Sequence, residues 1–332
     1  MKNLARPLIL LILGILTVLL LLRLGEVDIS PQTLRQIQPG YLLIAIVIHY
    51  SGFVVRGLRW QALLKNLGYR LGYIYTTALL LSGWFISALV PARLGDVARL
   101  AILKRDHQVG LAPGLASVAT ERALDILAIL GLTIVAALWA LPGRTPVWVW
   151  QIVGGGAILF GLALITLLTI PKLEDWLTNL LTWPLYRTTV RFGFELLSHI
   201  RQLGQRPGLL LALFLQSLYI WLCDILLMYF AFLSLGELVP LSVTAFTSMV
   251  VDLAAAVPLI PGAVGQFEGT ALGLLRLFSV PPQQSSLMIL LNRFISFWSF
   301  IVVSGLITYL FGFAQTINIK TLRQKQILLS EN

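Results

Sequence analysis

Six long apolar runs, at residues 7–22, 41–55, 123–141, 147–170, 209–235 and 287–313, decide most of what this chain can fold into. An α-helix needs about 20 apolar residues to cross the hydrocarbon core of a bilayer, and each run is near that length, the first two at the short end. Inside hydrocarbon every backbone N–H and C=O must be satisfied within the segment, so such runs are helices. Only 11% of the residues are charged, against about 25% in soluble domains, too few to cover a water-facing globule. The chain reads as an all-α polytopic membrane protein with about six full transmembrane helices. One transmembrane domain covers 1–319, and a basic tail covers 320–332. Lys2 and Arg6 ahead of the first run suit a signal peptide, but no small-x-small cleavage site follows, so a retained first helix is expected.

The formal net charge is +10, yet the basic residues sit in short segments between apolar runs. Charges so placed orient helices and meet anionic headgroups, so membrane lipids are the expected partners and nucleic acid is not. Cys223 is the only cysteine, and His49, His107 and His199 are scattered. No disulfide, metal site or cofactor is expected from them.

Two further apolar stretches, 73–90 and 241–260, run into Pro91-Ala92-Arg93-Leu94-Gly95 and Pro261-Gly262-Ala263-Val264-Gly265. Proline stops a helix and glycine lets the backbone turn, so both stretches are broken there. If both are re-entrant hairpins and the N-terminus is cytoplasmic, 18 Lys and Arg residues lie inside and four lie outside (Arg23, Arg35, Arg144 and Arg276). If the first stretch alone crossed, 14 would lie outside and 8 inside. The positive-inside rule therefore favours hairpins, in the inner (plasma) membrane of a prokaryote with both termini cytoplasmic. In segment 172–207, Phe192, Leu196, Ile200 and Leu203 recur at helical spacing between Arg187, Arg191 and Arg201. It reads as an amphipathic cytoplasmic helix joining a first half, about 41–141, to a second half, about 208–313.

The broken stretches belong to a longer match. Pro91 and Gly95 precede Arg122, and Pro261 and Gly265 precede Arg293, at 31 and 32 residues counted from each proline. Glu121-Arg122 and Asn292-Arg293 each open an apolar run, and Asp96 and Glu268 stand just past the breaks. With the hairpin bases on opposite sides, the halves form an inverted-topology repeat, an arrangement found in secondary transporters with the substrate site at the repeat interface.

Charges at membrane depth cost roughly 2.5–3.5 kcal/mol each on insertion scales, which makes them candidates for function. Candidate substrate-binding residues are Arg93, Asp96, Glu121, Arg122, Asp125, Asp252, Gly265, Glu268 and Arg293. The hairpin breaks are Pro91, Gly95, Pro261 and Gly262. Glu121 and Asp125 share one helical face. Helices restarting at Gly95 and Gly265 would aim free N–H groups at an anion, with Arg122 and Arg293 beside it. The bland readings stay open: Arg99 as a loop charge like Lys104 and Arg105, and Glu121–Arg122 as a structural ion pair. Asp224 ranks below Asp252 and Glu268, which flank the second break. Gly154-Gly155-Gly156 reads as close helix packing.

Residues 82–130, with Pro91-Ala92-Arg93-Leu94-Gly95-Asp96 and Glu121-Arg122-x-x-Asp125, resemble the lysylphosphatidylglycerol synthase transmembrane-region family. So do residues 257–273, with the second break and Glu268. The family includes the flippase-like membrane portion of multiple peptide resistance factor. The resemblance covers about residues 8–313 and implies a lipid-translocating membrane domain. Asp96 stands where Glu is expected, and Ala263 where a second Gly is common. Only a basic tail is expected after Phe313, and no phosphate-binding loop or H-E-x-x-H is present, so the expectation is a transporter and not an enzyme. The preferred reading is a flippase-like translocase for an amphiphilic lipid with an anionic headgroup. The rival is a non-transporting membrane partner of a separate lipid- or glycan-synthesis enzyme, and a homo-oligomer is compatible with either.

The topology is tested by cysteine labelling in a Cys223→Ser background. Lys104→Cys, Val190→Cys and Asn332→Cys are expected to react only from the cytoplasmic side and Arg144→Cys only from outside. Labelling of position 104 from outside would make the first broken stretch a full crossing.

Overall fold

The computed structural model describes residues 37–89, 94–142, 184–256 and 261–313, with Arg23 and scattered positions between 147 and 165. Among these residues the regular secondary structure is all helical. In chain order the helices are α1 (Pro39–Asn66), α2 (Tyr73–Leu89), α3 (Leu94–His107), α4 (Leu111–Ala140), α5 (Pro184–Gly204), α6 (Pro207–Ser234), α7 (Leu241–Ala255), α8 (Gln266–Leu277), α9 (Pro282–Arg293) and α10 (Ser299–Leu310). A π turn, Phe294–Trp298, carries α9 into α10 as one long helix. Proline opens α1, α6 and α9, where its missing N–H removes no intrahelical bond.

α1, α4, α6 and the composite α9–α10 are long and apolar enough to cross a membrane. At 1.5 Å per residue their 28 to 30 residues reach about 42–45 Å. They account for the runs at 41–55, 123–141, 209–235 and 287–313. The run at 7–22 lies outside the described residues, as does all of 147–170 except its scattered positions. Of those positions, Gly156 lies against Leu130, where a Cβ would come within 2.8 Å of the side chain. On α6, Leu211, Leu215, Tyr219 and Leu222 are exposed at 60, 55, 44 and 43%. That apolar stripe, at helical spacing, suits a lipid-facing surface.

α2 and α7 have 17 and 15 residues, about 25 and 22 Å, short of a roughly 30 Å hydrocarbon core. Each turns back on its successor. Tyr75 Oη donates to Asp106 Oδ2 at 2.9 Å, and Gly95 N–H donates to Ser87 Oγ at 3.2 Å, so α2 and α3 form an antiparallel hairpin. In the second pair Phe246 lies edge-on to Phe278, with ring centroids 5.8 Å apart, and Gln266 Nε2 donates to the Ala254 carbonyl at 2.5 Å. The connection between α7 and α8 passes through left-handed backbone at Gly262 (φ 67°), Ala263 (φ 50°) and Gly265 (φ 81°).

The hairpin bases lie at opposite ends of the bundle. At one end Gln202 and Arg206 hydrogen-bond Asn66, and Phe313 packs on Tyr75 at the base of the first hairpin. At the other, Gln38 N–H donates to the Ser234 carbonyl, and Leu141, Val239 and Phe278 share one apolar cluster. α1 and α6 run antiparallel, with Tyr41 stacked on Phe230 and Arg59 bonded to Ser217. The hairpins cross over. α2 packs on α10, where Thr308 Oγ1 donates to Ser82 Oγ at 3.0 Å, and α7 packs on α4. The element order long helix, hairpin, long helix thus occurs twice.

α5 is amphipathic as expected but is set against α4. Its buried aromatic is Phe194, at 8% exposure, whereas Phe192 is exposed. The preceding residues 172–183 lie outside the described residues.

The hairpin α2–α3 closes backbone to backbone. A Cβ on Gly95 would run into the Gly83 carbonyl and Ser87 Oγ, whereas one on Gly131 would meet open space. Gly95→Ala is therefore expected to destabilise the protein by about 1–3 kcal/mol through overpacking against backbone that cannot swing aside. Gly131→Ala is expected to be neutral or stabilising by up to about 1 kcal/mol. Thermal melts in detergent read both, and equal melting temperatures would refute the close approach.

Candidate functional site

The first half holds an alternating chain of six charges. Arg59 reaches from α1 to α4, with Nη1 and Nη2 donating to Asp125 at 2.5 and 3.0 Å and Nη2 lying 3.4 Å from Glu121. Arg99 on α3 lies 3.4 Å from Glu121 and 3.1 Å from Asp96, and Asp96 is 3.2 Å from Arg122. Arg59, Arg99 and Glu121 are fully buried and Asp125 nearly so. Trp221 Nε1 and Ser217 Oγ from α6 complete the inner end: Trp221 donates to Asp125 at 3.2 Å, and Ser217 accepts from Arg59 at 2.6 Å. The three arginines and three carboxylates cancel, which is what burial demands.

The second half repeats the pattern in smaller form. Arg293 Nε donates to Glu268 Oε1 at 2.6 Å and its Nη2 to the Gly262 carbonyl at 2.9 Å. Glu268 Oε2 accepts the Gly265 N–H at 2.6 Å. The Arg293 guanidinium lies 4.6 and 4.8 Å from the ring centroids of Phe267 and Phe297. The π turn that begins at Phe294 places Phe297 there, and a Cβ on Gly262 would lie 2.5 Å from that ring.

Between the halves lies a cavity of about 230 Å³. Its polar lining includes His49 and Arg56 from α1, Asp224 from α6, Asp252 from α7 and Arg293 from α9, with Trp84 and Trp221 as aromatic walls. Arg56 Nη2 lies 3.4 Å from Asp224, and its guanidinium is held 4.7 and 5.2 Å from the Trp84 and Trp221 rings. Its Nη1 has no hydrogen-bond partner, nor has either nitrogen of His49, whose Nδ1 is 3.7 Å from Asp224. Arg56 and His49 are more than nine-tenths buried. Asp252 accepts from Ser248 Oγ at 3.5 Å. Among the described residues no Lys, Arg or His lies within ion-pair distance of it.

The expected site residues therefore separate into three places. Asp96, Glu121, Arg122 and Asp125 belong to the charged chain. Gly262, Gly265, Glu268 and Arg293 form the second-hairpin lock, with Pro261 at its start, and Asp252 lines the cavity together with Gly262 and Arg293. Pro91 and Arg93 lie outside the described residues. Glu121 pairs with Arg59 and Arg99 rather than with its neighbour Arg122. Arg99 is no loop charge, being wholly buried. The N–H groups of Gly95 and Gly265, expected to await an anion, are satisfied by Ser87 and Glu268.

Sequence reasoning counted Arg56 and Arg59 as cytoplasmic flank, but both are buried, and Asp224, ranked there below Asp252 and Glu268, lines the cavity with Asp252. The signal was present: Arg56 and Arg59 stand three residues apart, on one face of α1, with Trp60 beside them. Among the described residues no group of three His, Cys, Asp or Glu could hold a metal ion.

The model of the Lysylphosphatidylglycerol synthase TM region family matches residues 8–304. A UPF0104 membrane protein of Pyrococcus horikoshii is 24% identical over 320 residues, covering 90% of this chain and 95% of that protein. Another from Methanocaldococcus jannaschii is 27% identical over 226 residues, 68% of this chain and 94% of that one. Glycosyltransferase AglD of Haloferax volcanii is 26% identical over 291 residues, covering 77% of this chain but 47% of that protein. No solved structure matches the chain.

Truncation tests the charged chain. Glu121→Ala would leave Arg59 and Arg99 facing each other in a dry interior, and breaking such a pair typically costs about 3–5 kcal/mol. Lys104, exposed on α3, should contribute less than about 1 kcal/mol. Glu121→Ala is expected to melt far below Lys104→Ala in detergent, and coincident melts would mean that Glu121 is solvated.

Proposed function

This chain belongs to the lysylphosphatidylglycerol synthase transmembrane-region family, and on that premise we propose that it moves an amphiphilic lipid between the two leaflets. The headgroup passes through the cavity between the halves while the tails stay in the bilayer. The observation that carries this reading is the unpartnered Arg56 Nη1, buried in a cavity to which both halves contribute. A buried donor without a partner costs about 1–3 kcal/mol, more when charged, and a phosphate oxygen would satisfy it. Arg122 and Arg293 then act by locking each hairpin to the long helix that follows it, and Arg56 and His49 receive the anionic group.

The proposed mechanism is alternating access by two inverted repeats. Several features support it: the doubled element order, antiparallel α1 and α6, hairpins based at opposite ends, and hairpin arms too short to span. In this reading α2–α3 and α7–α8 are re-entrant, α2 packs against the Pro261–Ala263 turn of the second hairpin, and the protein sits in the plasma membrane with cytoplasmic termini. A second reading is favoured by one observation, the match to a portion of a protein named a glycosyltransferase: a membrane partner that presents lipid to a synthetic enzyme without translocating it.

Proteoliposomes with fluorescent phospholipid separate the two. The purified chain is expected to speed transfer between leaflets well above protein-free vesicles. Arg56→Gln is expected to cut it at least tenfold, while Arg201→Gln, on the exposed face of α5, leaves it unchanged. No transfer by the native protein would favour the second reading, and full transfer by Arg56→Gln would remove the cavity from the pathway.

A further inference from the structure

We propose that Asp252 is a proton-binding site, and that its proton and the phosphate of the lipid bind cooperatively in the cavity. The cooperativity rests on the cavity as the lipid site but not on translocation.

The charges around Asp252 set the balance. Its helix, α7, packs against α4, α6 and α8. On α4, Glu121, Arg122 and Asp125 are engaged with Arg59, Arg99 and Asp96. On α8, Glu268 is held by Arg293 of α9 and by the Gly265 N–H, and Arg276 lines a separate pocket beside Pro282. Cys223 and Tyr219 of α6 turn to Ser51 of α1. That leaves Asp224 of α6, which lies 3.4 Å from Arg56 and 3.7 Å from His49, both on α1. Two carboxylates of the second half, Asp224 and Asp252, thus line the cavity opposite one arginine of the first, and Asp224 holds it.

Asp252 has no such cation among the described residues, and its contact is the Ser248 hydroxyl one turn earlier, at 3.5 Å. A carboxylate in an apolar wall without a counter-charge is costly, and a proton removes the cost without needing any further side chain. A hydroxyl suits a group that changes state, because it donates to the carboxylate and accepts from the acid. Asp252 is half-buried, so water in the cavity can deliver the proton and take it back. The proton passes between water and a carboxylate oxygen, and no other bond is made or broken. Lipid entry sharpens the demand. A phosphate drawn to Arg56 brings a further negative charge into the same cavity, where an ionised Asp252 repels it and a protonated one does not. Proton and phosphate therefore each raise the affinity for the other by the same factor.

Infrared spectroscopy of the purified full chain in detergent tests the proton site without lipid or transport. The native protein is expected to show the carbonyl band of a protonated carboxyl at neutral pH, to lose it as the pH is raised, and to lack it in Asp252→Asn. Should that variant not fold, ¹³C-labelled aspartate is expected to shift the band in the native protein but not in Asp252→Glu, where the acid is a glutamate. Binding of fluorescent phosphatidylglycerol over the same pH range tests the cooperativity. Native affinity is expected to fall at least fivefold as the band is lost. Asp252→Asn is expected to abolish that fall, and His49→Gln to keep it. No acid band in the native protein, a band or a fall in affinity that survives in Asp252→Asn, or a fall lost in His49→Gln would each overturn the inference. No binding of the lipid at any pH, with the band present and assigned to Asp252, would instead sink the lipid-site reading and the cooperativity with it, and leave the proton site standing.

Discussion

Charge cancellation in a place without water organises this protein. A guanidinium in hydrocarbon is tolerated when paired and hydrogen-bonded, and each pairing fixes one helix against another. Arg59 makes α1 bind α4 through Asp125 and Glu121, and Arg99 makes α3 bind the same α4 residue, Glu121. Asp96 then returns the link from α3 to α4 through Arg122. Three helices are thereby held in one register by a chain in which every charge but the two at the ends has an opposite charge on each side. Lipid-facing surfaces carry no such information, since leucine is as comfortable against a lipid tail as against another helix.

The second half solves the same problem with less. Its hairpin is tied to the following helix by the pair Glu268–Arg293, supplemented by backbone groups of the break itself. Doing so with one pair requires unusual backbone. Gly262 must approach the Phe297 ring, and Gly265 must turn its N–H toward Glu268, both at positive φ. Ala263, the departure from the family pattern, also sits at positive φ, where an L-residue is disfavoured by roughly 1–2 kcal/mol and glycine is not. The first half concentrates its specificity in side chains, the second in the turn.

Much of this was legible in the sequence because hydropathy and helix breakers are local properties. Four apolar runs became the four long helices, and both Pro–Gly breaks lie between short helices that fold back. The paired Asp96–Arg122 and Glu268–Arg293 locks follow positions that the repeated spacing had already matched. What could not be read locally was which charge meets which. Arg56 and Arg59 follow a 15-residue apolar run and look like its cytoplasmic end, yet α1 continues to Asn66 and buries them. Phe192 and Phe194 show the same limit on α5, where a neighbouring helix and not periodicity chose the buried face.

The distribution of ion pairs bears on how such a molecule could move. The six-charge chain lies within the first half and the Glu268–Arg293 lock within the second, so each half is internally braced. Among the described residues, the arginine–carboxylate pair that crosses between them is Arg56–Asp224, at 3.4 Å and open to the cavity. Other cross-half contacts include neutral hydrogen bonds, such as Tyr50 to Ser299 and Thr308 to Ser82, and the charge-assisted bonds of Arg59 to Ser217 and Trp221 to Asp125. Rocking the first half on the second would then separate Arg56 from Asp224 and break these hydrogen bonds, leaving the ion pairs within each half whole. On the proposed reading, the phosphate of a bound headgroup can hold Arg56 as it leaves Asp224. The separation that would strand Arg56 in an empty protein is then eased when the lipid is bound. That dependence would couple movement to occupancy without any nucleotide.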